Sequence, residues 1–85
     1  MKNNISEYSE SDFFRLVKRI CVDDYDTEQE HIDAVIHFEE ITEHPDGSDL
    51  IYYPEKPEDG TPENIVRVVK EWRQSNGLPC FKKTN

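Results

Sequence analysis

The residues best suited to chemistry are three histidines, His31, His37 and His44, in an 85-residue chain rich in carboxylates. Metal ligands on one helix face recur every three or four residues, whereas these histidines are six and seven residues apart. The spacing therefore predicts no metal centre. We expect His37 to be a partly buried, hydrogen-bonded side chain at the edge of a core. His44 is expected to contact backbone groups in a loop.

The carboxylates and cysteines form no recognisable catalytic pattern. The sequence has no glycine-rich phosphate loop, nucleophile elbow or zinc-ribbon spacing, and 85 residues provide one small core without a deep cleft between subdomains. Cys21 and Cys80 lack a CxxC spacing, and Cys21 lies on an apolar helical stripe where burial is expected. We therefore expect a binding protein without catalytic residues, metal or cofactor, and not an enzyme.

Acidic charge is concentrated in the middle of the chain. From Asp23 to Glu63 there are 15 acidic residues and one basic residue, Lys56, a net charge of −14, whereas the other residues give +5, for a total of −9. Such a field repels nucleic acid and anionic membranes and attracts a basic partner. The same charge is also compatible with an acidic surface that only keeps the protein in solution.

Two helices are predicted in the first half of the chain. Residues 9 to 22 combine Ser9 as N-cap with apolar residues at helical spacing, so one face should pack against a core. Thr27 and Glu30 form a second capping-box pattern, and the helix that they begin should end near Thr42.

The second helix carries two apolar stripes, which lie roughly 145° apart at about 100° per residue. The first stripe consists of Ala34, Phe38 and Ile41, and the other of Ile32, Val35 and Ile36. One stripe is enough to attach a helix to a core. The other is therefore either covered by a neighbouring helix or left as a contact patch, with Glu28 and Glu39 at its rim.

A very short third helix is predicted at residues 49 to 53. Ser48 can act as its N-cap, and Pro54 leaves room for little more than one turn. Because so short a helix is not stable on its own, packing of Leu50 and Ile51 must hold it in place.

The last helix has the clearest pattern. Thr61 is its predicted N-cap, Pro62 its first residue, and Asn76 with Gly77 its end. Its predicted inner face consists of Ile65, Val68, Val69 and Trp72. Lys70 and Arg73 are expected near its C-terminal end, where cations suit the helix dipole. The basic tail that follows is expected to be irregular.

Together these elements predict an all-α fold, a small antiparallel four-helix bundle with a very short third helix, formed by one domain over residues 1–85. No apolar run approaches the length of a membrane span, and no signal peptide is evident. The expected compartment is the cytosol, with free thiols and no membrane contact.

Tyr52 and Tyr53 are adjacent, so their rings point in different directions and cannot easily share one core. The run TEHPDGSDLIYYP that contains them, with SEYSESDFFRLVKRIC and PENIVRVVKEWRQSNG, strongly resembles the immunity proteins of nuclease colicins and pyocins, over about residues 5 to 83. The resemblance is to the group that neutralises HNH-class DNases. It implies a cytosolic antidote, monomeric until it binds its toxin one to one, that covers a site beside the active site and excludes DNA.

The resemblance also implies which residues bind the toxin. The third helix would supply the contacts shared among family members, here Ser48, Asp49, Tyr52, Tyr53 and Pro54. The second helix would supply partner discrimination, here through Glu28, His31, Ile32, Asp33, Val35 and Glu39. Because this set includes much of the second apolar stripe, the resemblance favours a contact patch there. His31 and Asp33 depart from the usual family residues, which bears on the choice of toxin.

A hypothesis of a different class is an acidic DNA mimic or regulatory module that binds a basic nucleic-acid-binding protein. The charge supports this hypothesis equally well. It does not account for the paired tyrosines, and a nuclease-toxin gene immediately upstream would distinguish the two hypotheses.

Overall fold

The computed structural model of the protein describes residues 4–54 and 60–82. The helices are α1 (Glu10–Val22), α2 (Glu28–Thr42), α3 (Asp49–Tyr52) and α4 (Pro62–Ser75), preceded by a 3₁₀ turn at Ile5–Glu7. The described residues contain no strand. The predicted all-α bundle with a very short third helix is therefore confirmed, whereas the N-terminal turn was not predicted.

Local hydrogen bonds explain where three helices begin. The side-chain oxygens of Ser9, Thr27 and Thr61 each accept a backbone N–H from three residues further on, at 3.1, 3.1 and 3.3 Å. Each bond satisfies a donor that the first helical turn leaves unpaired. The three predicted starts are confirmed. At their other ends α1 and α2 are closed by Asp23 and Glu43 in the left-handed conformation, with φ of 55° and 57°.

The core lies where α1 packs against both α2 and α4. Phe13 of α1 and Phe38 of α2 are fully buried, and their stacked rings lie 5.9 Å apart between centroids. Ala34 and Ile41 are also buried, so the first predicted stripe of α2 is confirmed as its core face. Burial of these side chains from water is the main source of stability in such a bundle.

The inner face of α4 differs from the prediction. Ile65 and Val69 are buried as expected, but Val68 and Trp72 are only partly buried. The other buried residues of α4 are Val66 and Arg73. Arg73 lies in the last turn of α4, as predicted, but its side chain enters the interior, which the pattern did not indicate.

Arg73 is 3% exposed and connects three segments of the chain. Its guanidinium donates to the carbonyl oxygen of Pro79 at 2.6 Å and to that of Thr42 at 2.9 Å, and it lies 3.3 Å from the Glu43 carboxylate. A buried cation requires such partners because desolvation is costly. Arg73 therefore joins the end of α2 to α4 and to the C-terminal segment.

The predicted burial of Cys21 is wrong, since this residue is exposed. The buried residues of α1 are Phe13, Val17 and Ile20, and Cys21 lies about 100° further round the helix than Ile20. Its thiol is nevertheless partly shielded, and this burial, followed by the negative charge of Glu63, raises the pKa of Cys21.

The C-terminal segment is irregular, as predicted, but it contributes to the fold. The Phe81 ring lies 5.2 Å from that of Phe13, and the Lys82 N–H donates to the Tyr8 carbonyl oxygen at 2.9 Å. Residues 55–59, between α3 and α4, lie outside the described residues. Within residues 4–54 and 60–82, no helix has the length and apolar character needed to cross a membrane.

Candidate partner-binding surface

The short helix α3 exposes its two tyrosines. Leu50 and Ile51 are partly buried and pack against the core, which confirms their predicted role in holding this turn. Tyr52 is 47% exposed and Tyr53 is 79% exposed. Both rings therefore face solvent on an element fixed from beneath, a disposition suited to aromatic contacts with another protein.

Tyr52 lies beside the C-terminal end of α1. Partial burial raises the pKa of the Tyr52 hydroxyl, and the nearby Cys21, when it is a thiolate, and the Asp23 carboxylate raise it further. The hydroxyl therefore stays protonated near neutral pH and can donate a hydrogen bond to a partner.

The prediction that the Ser48 side chain caps α3 is wrong. Ser48 occupies the N-cap position, but its hydroxyl makes no capping bond. Its backbone N–H instead donates to Oε2 of Glu39, on α2, at 3.2 Å. Glu39, which lies 9 positions earlier, thus accepts the Ser48 N–H. A capping pattern compares residues three positions apart, so it does not detect this bond.

The second apolar stripe of α2 is exposed. Ile32 and Ile36 are 43% and 46% exposed, and Val35 is partly buried against the core. Within the part of the chain that the structure describes, the alternative of a covering helix is therefore excluded for the two isoleucines. Glu28 and Glu39 are also exposed. This face of α2 thus combines apolar side chains with carboxylates, which suits a partner with apolar and basic groups.

Besides Glu39, two more of the predicted specificity residues have polar contacts within the protein. The His31 Nε2 lies 3.1 Å from the Ile20 carbonyl oxygen, and its Nδ1 lies 3.8 Å from the Asp23 carboxylate. The Asp33 carboxylate accepts a hydrogen bond from the Gln29 amide at 2.9 Å. His31 thus connects α2 to the end of α1 at the edge of the patch.

The predicted site residues are therefore only partly brought together. Glu28, Ile32, Val35 and Glu39 fall within about 60° of one another around α2, whereas Asp33 lies roughly 130° from the centre of this group. Glu39 connects the group directly to α3. Ile36 was not assigned to the site, although its place on the second stripe could have indicated it.

The remaining histidines have the structural roles predicted for them. His37 Nε2 lies 2.8 Å from the Tyr8 hydroxyl, and burial lowers the pKa of His37. The Asp46 N–H donates to Nδ1 of His44 at 3.0 Å, and the His44 ring lies 4.9 Å from that of Trp72.

The arrangement supports binding through an exposed surface. Among the residues described, no group of three or more histidine, cysteine, aspartate or glutamate side chains is placed to hold a metal ion. The exposed groups are the aromatic rings of α3 and the apolar and acidic side chains of α2, and the bond from Ser48 to Glu39 joins these two elements. Such groups can provide apolar contact area, hydrogen bonds and attraction to cations.

Comparison with known proteins gives concordant matches. A family model described as colicin immunity protein / pyocin immunity protein matches residues 5–75. The pyocin-S2 immunity protein of Pseudomonas aeruginosa strain PAO1 is 49% identical over 85 aligned positions, which cover 96% of this chain and 98% of that protein. The pyocin-S1 immunity protein of Pseudomonas aeruginosa is 48% identical over the same shares.

Solved structures of two complexes are similar as well. A chain in the crystal structure of the pyocin AP41 DNase–immunity complex matches with a TM-score of 0.84 and 43% identity, covering 98% of this chain and all of that one (100%). A chain in the structure of the mutant nuclease domain of pyocin S8 with its cognate immunity protein matches with a TM-score of 0.87 and 36% identity, covering 96% of this chain and 100% of that one.

Proposed function

This chain belongs to the family of colicin and pyocin immunity proteins, and on that basis we propose that it binds and inhibits the DNase of one cognate bacteriocin. One molecule would bind one DNase domain of the HNH class, beside its active site, and exclude DNA. The producing cell would thereby be protected from its own toxin. The protein acts by binding and is not an enzyme.

The observation that carries this proposal is the exposed pair of tyrosines beside an exposed apolar and acidic face of α2. A protein that cuts DNA must attract phosphates, so its surface around the active site is basic. The net charge of −14 between Asp23 and Glu63 attracts such a surface and speeds the encounter. The apolar and aromatic side chains then supply the contact area that slows dissociation.

The two helices would have different roles in this complex. The shared contacts are assigned to Ser48, Asp49, Tyr52, Tyr53 and Pro54 on and around α3. The choice of toxin is assigned to Glu28, His31, Ile32, Asp33, Val35 and Glu39 on α2. The positions of Ile32 and Val35 support this assignment most directly. Both belong to the second apolar stripe of α2, on which Ile32 is exposed and can contact a partner. The interface would bury about 1,200–2,000 Å² in total, the usual size for a specific complex.

We further propose where the inhibitor acts and which residues form its domain. The inhibitor would act in the cytosol, where the chromosome of the producing cell needs protection. Residues 1–85 would form one domain, with a single core beneath the binding surface. No direct contact with nucleic acid or with a membrane is part of the mechanism.

The experiment that tests this function is inhibition of DNA cleavage. Purified DNase domains of several pyocins would be titrated with the protein, and nicking of plasmid DNA would be followed. We expect complete inhibition of one of them at a ratio of one to one and weaker inhibition of the others. Failure to inhibit any of a broad set of HNH-class pyocin DNases would refute the proposal.

A basic DNA-binding protein unrelated to bacteriocins is the matched control. If the acidic charge alone caused binding, as for a DNA mimic, the control protein would bind with similar affinity and both affinities would fall steeply with salt. We expect instead that binding to the cognate DNase persists at high salt, because apolar and aromatic contacts contribute most of it.

A further inference from the structure

We propose that Glu39 is a positioning residue, whose carboxylate fixes the N-terminal end of α3 and thereby the orientation of Tyr52 and Tyr53. For Glu39, this role would replace the choice of toxin assigned to it above. The residue would act on all toxins through α3, and not by selecting among them through direct contact. The effect on toxin binding rests on the proposed function. The intramolecular part can be tested on the protein alone.

Backbone hydrogen bonds and one side chain hold the turn that leads into α3. The N–H groups of Gly47, Asp49 and Leu50 donate to backbone carbonyl oxygens three residues earlier, at 3.0, 2.9 and 3.2 Å. The Ser48 N–H donates to Oε2 of Glu39 at 3.2 Å. The Glu39 carboxylate thus supplies an acceptor that the turn itself does not, and a hydrogen bond to a charged acceptor is stronger than one between neutral groups.

The same carboxylate closely approaches Gly47. This glycine is buried, with φ of 50°, and a Cβ atom built on it would lie 2.6 Å from the Glu39 Oε2. A side chain at position 47 would therefore have to displace the carboxylate. The absence of a side chain lets Glu39 lie across the turn and reach the next N–H.

The helix α3 is too short to fix its own orientation. With residues Asp49–Tyr52 only, it contains a single turn, so its own hydrogen bonds cannot hold it in one orientation. Leu50 and Ile51 attach its underside to the core. The bond from Glu39 adds a directional constraint at its beginning, and the exposed tyrosines follow at its end.

The first experiment measures the Ser48 amide in the protein alone. Glu39→Ala removes the acceptor, Glu39→Gln keeps an oxygen acceptor without the charge, and Glu40→Ala removes a neighbouring exposed carboxylate of the same helix as a control. By NMR we expect the protection of the Ser48 amide from hydrogen exchange to fall about tenfold in Glu39→Ala. The other two variants should retain most of this protection. An unchanged Ser48 amide in Glu39→Ala would refute the positioning role.

The second experiment measures the affinity of the same variants for at least two pyocin DNase domains that the protein binds. We expect Glu39→Ala to weaken binding of each by a similar factor, about tenfold, and Glu39→Gln to restore most of the loss. A loss that differs strongly between toxins, or that is equal for Ala and Gln, would show a direct charge contact and overturn the proposal. If no DNase is bound at all, the proposed function fails. The NMR result would still show whether the Glu39 carboxylate holds the beginning of α3.

A double-mutant cycle provides a test that does not depend on one variant. Gly47→Ala should displace the carboxylate and weaken toxin binding. In a Glu39→Ala background the same substitution should weaken binding less, because the carboxylate is already gone. Additive effects of the two substitutions would contradict the proposal, since they would show that the residues act independently.

Discussion

Replacing the two exposed tyrosines should weaken toxin binding to different extents. A tyrosine can bury about 150–250 Å² in an interface, so 79% exposure of Tyr53 leaves roughly 160 Å² available and 47% exposure of Tyr52 leaves roughly 95 Å². At about 25 cal/mol per Å², these areas correspond to about 4 and about 2.4 kcal/mol at most. Because alanine keeps part of the contact, we expect losses of about 3 kcal/mol for Tyr53→Ala and about 2 kcal/mol for Tyr52→Ala.

These losses correspond to a roughly 150-fold and a roughly 30-fold increase in Kd. They can be measured by calorimetry or competition binding with the cognate DNase domain, with helical content checked by circular dichroism. Tyr53→Phe and Tyr52→Phe separate the ring from the hydroxyl, and the ring should account for most of the effect at Tyr53.

Arg15→Ala is the control variant. The Arg15 side chain is 77% exposed and lies about two turns before the end of α1 near which Tyr52 lies. This variant should bind the toxin no more weakly than the unmutated protein, because a cation does not attract a basic partner. Retained affinity in both tyrosine variants with an intact fold, or an equally large loss in Arg15→Ala, would refute the role of the tyrosines.

Three further predictions concern specificity, stability and pH. Ile32→Ala, which removes an exposed side chain of α2, should change the ratio of affinities for two DNases by about tenfold; an equal loss for every toxin would contradict a specificity role. Arg73→Met should lower the free energy of unfolding by about 3–4 kcal/mol in urea, because buried carbonyl oxygens lose their donor, whereas Arg67→Met, on the exposed side of α4, should cost less than about 0.5 kcal/mol. Burial lowers the pKa of His37 from 6.5, so the unfolded chain binds the proton more readily, and stability should fall as pH drops below 6.5 towards the lower pKa of the folded state. His37→Gln should flatten this part of the stability–pH curve, and an unchanged curve would assign the dependence to other groups.

The features that depend on neighbouring residues could be predicted from the sequence. Ser9, Thr27 and Thr61 cap helices because the acceptor and the donor are three residues apart, so the pattern contains both partners. The exposure of Tyr52 and Tyr53 could also be anticipated, because adjacent side chains cannot share one small core.

The errors come from interactions between distant segments. Arg73 is buried because the carbonyl oxygens of Thr42 and Pro79 come together only in the folded protein, and the hydrophobic pattern of α4 does not contain that information. The bond from the Ser48 N–H to Glu39 was missed for the same reason, because the two residues approach each other only in the folded protein. For Cys21, a rotation of about 100° around α1 separates a core position from an exposed one, which is finer than the pattern can resolve.

The bond from Glu39 to Ser48 has a consequence for how such an inhibitor could acquire a new toxin during evolution. Substitutions at Glu39 or His31 would break hydrogen bonds inside the protein, so most of them would disturb the fold before they improve binding to a new toxin. Glu28, Ile32 and Ile36 are exposed on the same helix and can change with little effect on the fold. We therefore expect divergence towards a new toxin to begin at these three positions.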